Sequence, residues 1–165
     1  MYYPFSASMK PLVVFYSRSG TTKKVALELA QALGCEHEEL EDTQDRSGMG
    51  GWLRSGRQAM KDEPTTLKPI KKDLSQYDLF IVGTPVWAGR MSVPTRTFMV
   101  QNKETLKEVA FFYTSGGKDN EQKIFPVMEQ VCGKKPKATL GLRTKEVKKD
   151  EFKDKVVSFA KALSS

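Results

Sequence analysis

Residues 11–22 read Pro11-Leu12-Val13-Val14-Phe15-Tyr16-Ser17-Arg18-Ser19-Gly20-Thr21-Thr22, and this stretch decides the fold. Its first half, up to Ser17, is a short apolar, β-branched and aromatic run, the pattern of a buried strand. Its second half is a hydroxyl-rich turn around Gly20. After it, Val25, Ala26, Leu29, Ala32 and Leu33 recur on one helical face, and Gly34 is a natural stop. A strand that turns in this way into a helix builds an anion site. Ser17, Ser19, Thr21 and Thr22 offer hydroxyl donors, and Gly20 lets the backbone come close. The first N–H groups of the helix face the anion with the positive end of its dipole. Arg18 and Lys23 either add charge or face solvent. The plainer alternative is an ordinary strand-to-helix turn capped by serine or threonine. An ATP-type loop is excluded, because no Gly-Lys-Ser/Thr closes the turn.

The same alternation runs outward to the end of the chain. Residues 35–40 form a second strand, polar enough to lie at an edge. Residues 49–61 read as a helix with Trp52, Leu53, Gly56, Ala59 and Met60 on one stripe. Residues 79–86 are apolar throughout, as in a central strand. Residues 93–100 form a short helix with Pro94 in its first turn. Residues 109–114 are another central strand. Residues 122–132 are a helix that must hold Pro126 in its first turn or kink there. Residues 139–147 make a weaker strand. Phe152, Val156, Phe159, Ala160 and Leu163 mark one face of a closing helix, with Asp150 as its cap. Five strands alternating with five helices predict an α/β fold, a parallel sheet covered on both faces. Residues 10–165 form that domain. Residues 1–9 read as an N-terminal extension outside it, with Met9 a second candidate start. Residues 41–51 are the longest stretch without a clear pattern.

In such a sheet, ligands bind at the carboxyl ends of the strands where the strand order reverses. Two further loops lie there. One is Gly83-Thr84-Pro85-Val86-Trp87-Ala88-Gly89-Arg90. Trp87 is expected beyond the end of its strand, clear of the core, where a flat ring suits stacking on another flat ring. Its alternative is a lid over the helix that follows. Gly89 allows close backbone approach, and Arg90 reaches an anion or is simply solvated. The other loop is Thr114-Ser115-Gly116-Gly117-Lys118-Asp119-Asn120, with two glycines directly after a central strand. Asp119 or Asn120 is expected to cap the next helix.

These three loops, in this order and each after the matching strand, resemble the flavodoxin family over residues 10–165. The resemblance implies a three-layer, flavodoxin-like sandwich with five parallel strands ordered 2-1-3-4-5, and noncovalent FMN. On it, Ser17, Arg18, Ser19, Gly20, Thr21 and Thr22 would hold the phosphate. Pro85, Val86, Trp87, Ala88 and Gly89 would line the isoalloxazine, and Ser115, Gly116 and Gly117 would approach it from the other side. Electron carriers of the family usually place a second aromatic, often tyrosine, in the third loop. This chain has none there, and Tyr113 is expected to face away. Those carriers are typically acidic, whereas this chain has a formal charge of +7. An FMN-dependent NAD(P)H oxidoreductase of quinone-like acceptors is therefore the first expectation. The alternative is an electron carrier docking on a protein redox partner. A flavin-free interaction module on the same fold ranks last, and a homodimer stays open.

Composition narrows the other classes. The basic charge is interleaved with acids, as in Lys145-Glu146-Val147-Lys148-Lys149-Asp150-Glu151, without an aromatic platform, so nucleic acid is not expected as a partner. No run approaches a membrane span of roughly 18 apolar residues. Cys35 and Cys132 make no disulfide framework, and a cytoplasmic setting is expected. One histidine, His37, in the edge strand leaves no base for a serine hydrolase and no metal cluster. A phosphoryl receiver would need acids where Ser17 and Thr84-Pro85 stand. No side-chain acid or base is assigned a catalytic role.

Overall fold

The computed structural model describes residues 5–117 and 121–165. Its sheet is built around β1 (Pro11–Phe15), every residue of which is buried. Leu12 and Val14 point to one face, Val13 and Phe15 to the other, as the two-residue period of a strand requires. β2 (Glu36–Glu39) pairs on one side of β1 and β3 (Leu79–Trp87) on the other, both parallel. β5 (Glu108–Ser115) and β6 (Thr139–Arg143) extend the sheet, giving the order β2-β1-β3-β5-β6. β4 (Arg90–Met91) stands off this path and pairs antiparallel with the end of β3. Without β4, the order is the expected 2-1-3-4-5.

Helices cover both faces. α1 (Thr21–Leu33) and α6 (Lys153–Ser164) lay Val25, Leu29, Val156 and Phe159 over Val13, Phe15, Ile81 and Phe112. α3 (Val93–Gln101) and α4 (Glu121–Cys132) lay Phe98, Met99, Ile124 and Met128 over Val14, Phe80, Val82 and Phe111. Each fully buried side chain of this size contributes roughly 1.5–3 kcal/mol. α2 (Gly48–Lys61) joins the second face with Ala59. Phe5 and Met9 pack on the edge of the first face.

Several expectations are corrected. The sheet has six strands, because the chain doubles back at Ala88 and Gly89, both at positive φ, as in a two-residue hairpin turn. The first strand stops at Phe15, two residues short of Ser17. The last strand ends at Arg143, where α5 (Thr144–Lys148) begins. The Glu146 carboxylate accepts the Arg143 N–H at 2.8 Å and so fixes a helix start where a strand was expected to continue. Asp150 does not cap α6; it sits at φ 58° just past the end of α5 and pairs with Lys24 at 2.8 Å, and Phe152 opens α6. Pro126 lies inside α4, beyond its first turn. The α2 stripe divides: Ala59 is buried, but Trp52, Leu53 and Met60 are about 60% exposed. The caps expected of Asp119 and Asn120 lie outside the described residues. Among the described residues, no helix is long and apolar enough to cross a membrane.

Candidate functional site

β1 and β3 are neighbours, yet the chain leaves β1 toward β2 on one side and returns to β3 on the other. Their carboxyl ends form the switch point where a ligand is expected. The first loop stands there. Gly20 is the N-cap of α1 at φ 94°, and its N–H donates to Ser17 Oγ at 3.1 Å. That bond leaves the Ser17 hydroxyl proton free to donate outward. Space is open where a Cβ on Gly20 would stand. The N–H groups of Thr21, Thr22 and Lys23 open the helix and have no partner within it. Arg18 and Ser19 are exposed, and Thr21 is half-buried. Thr22 differs: it is buried, and its hydroxyl shares a 2.7 Å hydrogen bond with that of Thr114 on β5. Its side chain therefore ties the first loop to the third, and its contribution to an anion is the backbone N–H. Lys23 turns toward β2, where it pairs with Glu39 at 2.8 Å.

The second loop is fixed from beneath. The buried Thr84 hydroxyl accepts the Ser92 N–H at 2.9 Å, and Ser92 and Thr95 share a 2.8 Å bond at the start of α3. β3 runs on through Trp87 before the hairpin turn. Trp87 is thus a core residue, against expectation, with 6% of its surface exposed. Its ring meets Tyr16 edge-on at 5.5 Å, and the Arg46 guanidinium stands 5.0 Å from its centroid. The strand stays in the sheet one residue longer than its apolar run suggests, because Trp87 pairs with Arg90 across the hairpin.

A groove of about 790 Å³ opens above these loops. Val86, Trp87, Ala88 and Gly89 form one side and Ser115, Gly116 and Gly117 another, so the second and third loops converge on one groove. Pro85 is not in its lining; its carbonyl accepts from Thr84 Oγ1 at 2.8 Å. The remaining wall was not anticipated. It is α2, which presents Trp52, Leu53, Gly56 and Met60, with Arg57 and Lys61 at the rim. The signal lay in the stripe itself, since a helix with so many glycines and a large apolar row has more apolar surface than one contact with the sheet uses.

Arg46 was missed altogether. It lies in the stretch without pattern, yet it is 3% exposed. It forms an ion pair with Asp42, and its Nη1 donates to Ser55 Oγ at 3.1 Å and Gln58 Oε1 at 2.8 Å. Arg18 Nη1 reaches its carbonyl at 3.5 Å. Gly51 packs so closely on the Arg46 backbone that a Cβ there would fall 2.2 Å from its carbonyl carbon. Arg46 thus links the first loop, Trp87 and α2. Its Nη2 is buried without a hydrogen-bond partner among the described residues. Burial pushes the Tyr16 phenol above its ordinary 10.0, with Arg46 pulling the other way, so Tyr16 stays a neutral hydroxyl here.

Residues 10–157 match a family model described as flavodoxin. No curated protein matches the chain. Among solved structures, a flavoprotein from Lactobacillus acidophilus NCFM in complex with FMN is 26% identical, with a TM-score of 0.67 over 86% of this chain and 97% of that one. The two-electron reduced flavodoxin of Megasphaera elsdenii is 14% identical, with a TM-score of 0.57 over 93% and 98%. A WrbA-like flavodoxin from Agrobacterium tumefaciens is 13% identical, with a TM-score of 0.55 over 92% and 95%. The last two likenesses concern the fold alone.

Proposed function

The chain belongs to the flavodoxin family and its cofactor is FMN; from that premise we propose that it works as an NAD(P)H-dependent oxidoreductase of a quinone-like acceptor. The donor set fits the parts of FMN. Gly20, the hydroxyls of Ser17, Ser19 and Thr21, and the opening N–H groups of α1 suit a dianionic phosphate. The apolar groove suits a flat ring, with the Val86–Gly89 and Ser115–Gly117 backbones at its edges. Arg46, whose Nη2 has no hydrogen-bond partner among the described residues, stands against the Trp87 ring. Bound FMN supplies acceptance of a hydride from the nicotinamide and its passage to the acceptor.

The observation that carries the enzyme reading is the shape of the groove. At about 790 Å³ it is toward the upper part of the ~300–1,000 Å³ span of small-molecule sites. Its outer wall is an exposed indole, not a sealed face. Trp52, 58% exposed, is the ring free to stack on flat ligands, and Trp87 is the buried support beneath them. The hairpin and the Thr22–Thr114 bond position the loops, and the α2 wall adds apolar surface beside them.

One observation favours the carrier. Trp52, Leu53 and Met60, flanked on α2 by Arg54, Arg57 and Lys61, would also suit docking on an acidic redox protein. The absorption spectrum of the purified protein, followed by anaerobic titration with NADPH, separates the two. The enzyme reading expects a yellow protein that NADPH bleaches within the mixing time and that quinone reoxidises over many turnovers. A yellow protein inert to NADH and NADPH with every quinone offered would leave the carrier.

A further inference from the structure

Across the Ala88–Gly89 turn from the groove lies a second cavity of about 410 Å³. Both residues line both spaces, so the two meet along the turn. The cavity brings together side chains that no sequence motif connects: Arg90 of β4, Arg96 of α3, Lys123 of α4 and Asp62 at the end of α2. Three cations thus face one carboxylate. Asp62 reaches Nη1 of Arg90 and Nη1 of Arg96, each at 3.8 Å. Those distances are too long for the bidentate bonds that fill a guanidinium fork. Arg96 is 29% exposed, held in the wall rather than extended into solvent. Ile124 and Val127 add apolar surface.

We infer that this cavity binds a phosphate group of the nicotinamide dinucleotide that reduces the flavin. The inference rests on the oxidoreductase reading above. A dinucleotide holds its phosphates away from its nicotinamide, so with that ring in the groove the phosphates must leave across one of its edges. The Ala88–Gly89 turn is an edge with a net positive cavity directly behind it. Arginine pairs with phosphate through two parallel N–H bonds, and Lys123 adds a point charge. Asp62 holds the two arginines in place without the ligand and competes with it.

That competition gives variants of opposite sign. In FMN-loaded protein under anaerobic conditions, Arg96→Gln and Lys123→Gln should each raise the NADPH concentration for half-maximal flavin reduction about tenfold. The limiting rate should hold within about twofold, because neither residue lines the groove. Asp62→Asn should lower that concentration several-fold. Asn tolerates the positive φ of 51° at this position, so the helix end is kept. If the 2′-phosphate is the group bound, NADH is the poorer reductant and the variants barely change it; if the pyrophosphate is bound, both reductants shift together. Calorimetry with adenosine 2′,5′-bisphosphate and with ADP needs no electron transfer. If the wild type is inert to NAD(P)H, the enzyme reading falls, and nucleotide binding weakened by Arg96→Gln still supports the phosphate site. Half-saturation and nucleotide binding that are the same in wild type and all three variants would overturn it.

Discussion

Gly20 holds φ 94° and opens onto empty space where a side chain would begin. Valine there is strained by about 1–3 kcal/mol and puts its methyls over the N–H groups that open α1. Gly20→Val should leave a folded domain, with a lowered melting temperature, that binds FMN at least 100-fold more weakly. Quenching of FMN fluorescence measures the affinity and circular dichroism the fold; unchanged affinity would remove the phosphate from this loop. The turn was legible because its chemistry is local: glycine, hydroxyls and helix start are adjacent in the chain. Three other residues were not. Thr22 reads as one more donor, but its hydroxyl is taken by Thr114, 92 residues away. Trp87 reads as a free ring, and only the hairpin pairing with Arg90 puts it in the core. Arg46 stands in a stretch without pattern, and its burial depends on Asp42, Ser55 and Gln58 meeting around it.

α2 shows the same limit one scale up. Its bounds were legible within a residue, and its apolar stripe was correct as a pattern. Periodicity reports which residues share a face, not what that face meets. Of this one, Ala59 alone joins the core, and Trp52, Leu53, Gly56 and Met60 are left to the groove. The two tryptophans separate these roles. Trp52→Ala removes an exposed ring, so stability should stay within about 0.5 kcal/mol. Loss of stacking should weaken FMN about two- to tenfold, corresponding to the roughly 0.5–1.5 kcal/mol of an aromatic pair. Trp87→Ala empties a buried site and should cost about 3–5 kcal/mol in urea unfolding. If Trp52→Ala binds FMN as the wild type does, α2 is no wall of the flavin site and its apolar row is left for docking. The tail of the last strand was misjudged for a related reason: residues 144–147 have strand-like composition, but the Glu146 cap decides for helix.

The order of the sheet was legible because alternating strands and helices leave few arrangements of a parallel sheet. The β4 hairpin was not, since two residues carry no period. Burial across the whole molecule also sets its response to alkali. Cys35, between α1 and β2, is half-buried, and burial pushes its thiol up from 9.0 to about 12. Burial, with the Glu36 carboxylate against its hydroxyl, moves the Tyr77 phenol from 10.0 to about 12. Burial also raises the Cys132 thiol. Folding therefore keeps protons that the unfolded chain gives up. Below pH 9 both states are protonated at these groups, and stability does not depend on them. Above it the unfolded chain ionises first, and stability falls until the folded values near 12 are reached. For Cys35 alone the slope is about 1.4 kcal/mol per pH unit through that window. Urea unfolding at pH 7.5, 9.0 and 10.5 should show the wild type losing stability between the last two, and Cys35→Ala losing measurably less. In the same pH range iodoacetamide, which needs the thiolate, should leave both cysteines of the folded protein unmodified and label both in urea. Rapid labelling of native Cys35 at pH 8 would mean that the junction of α1 and β2 opens to water, and the difference in alkaline slope between wild type and Cys35→Ala would vanish with it.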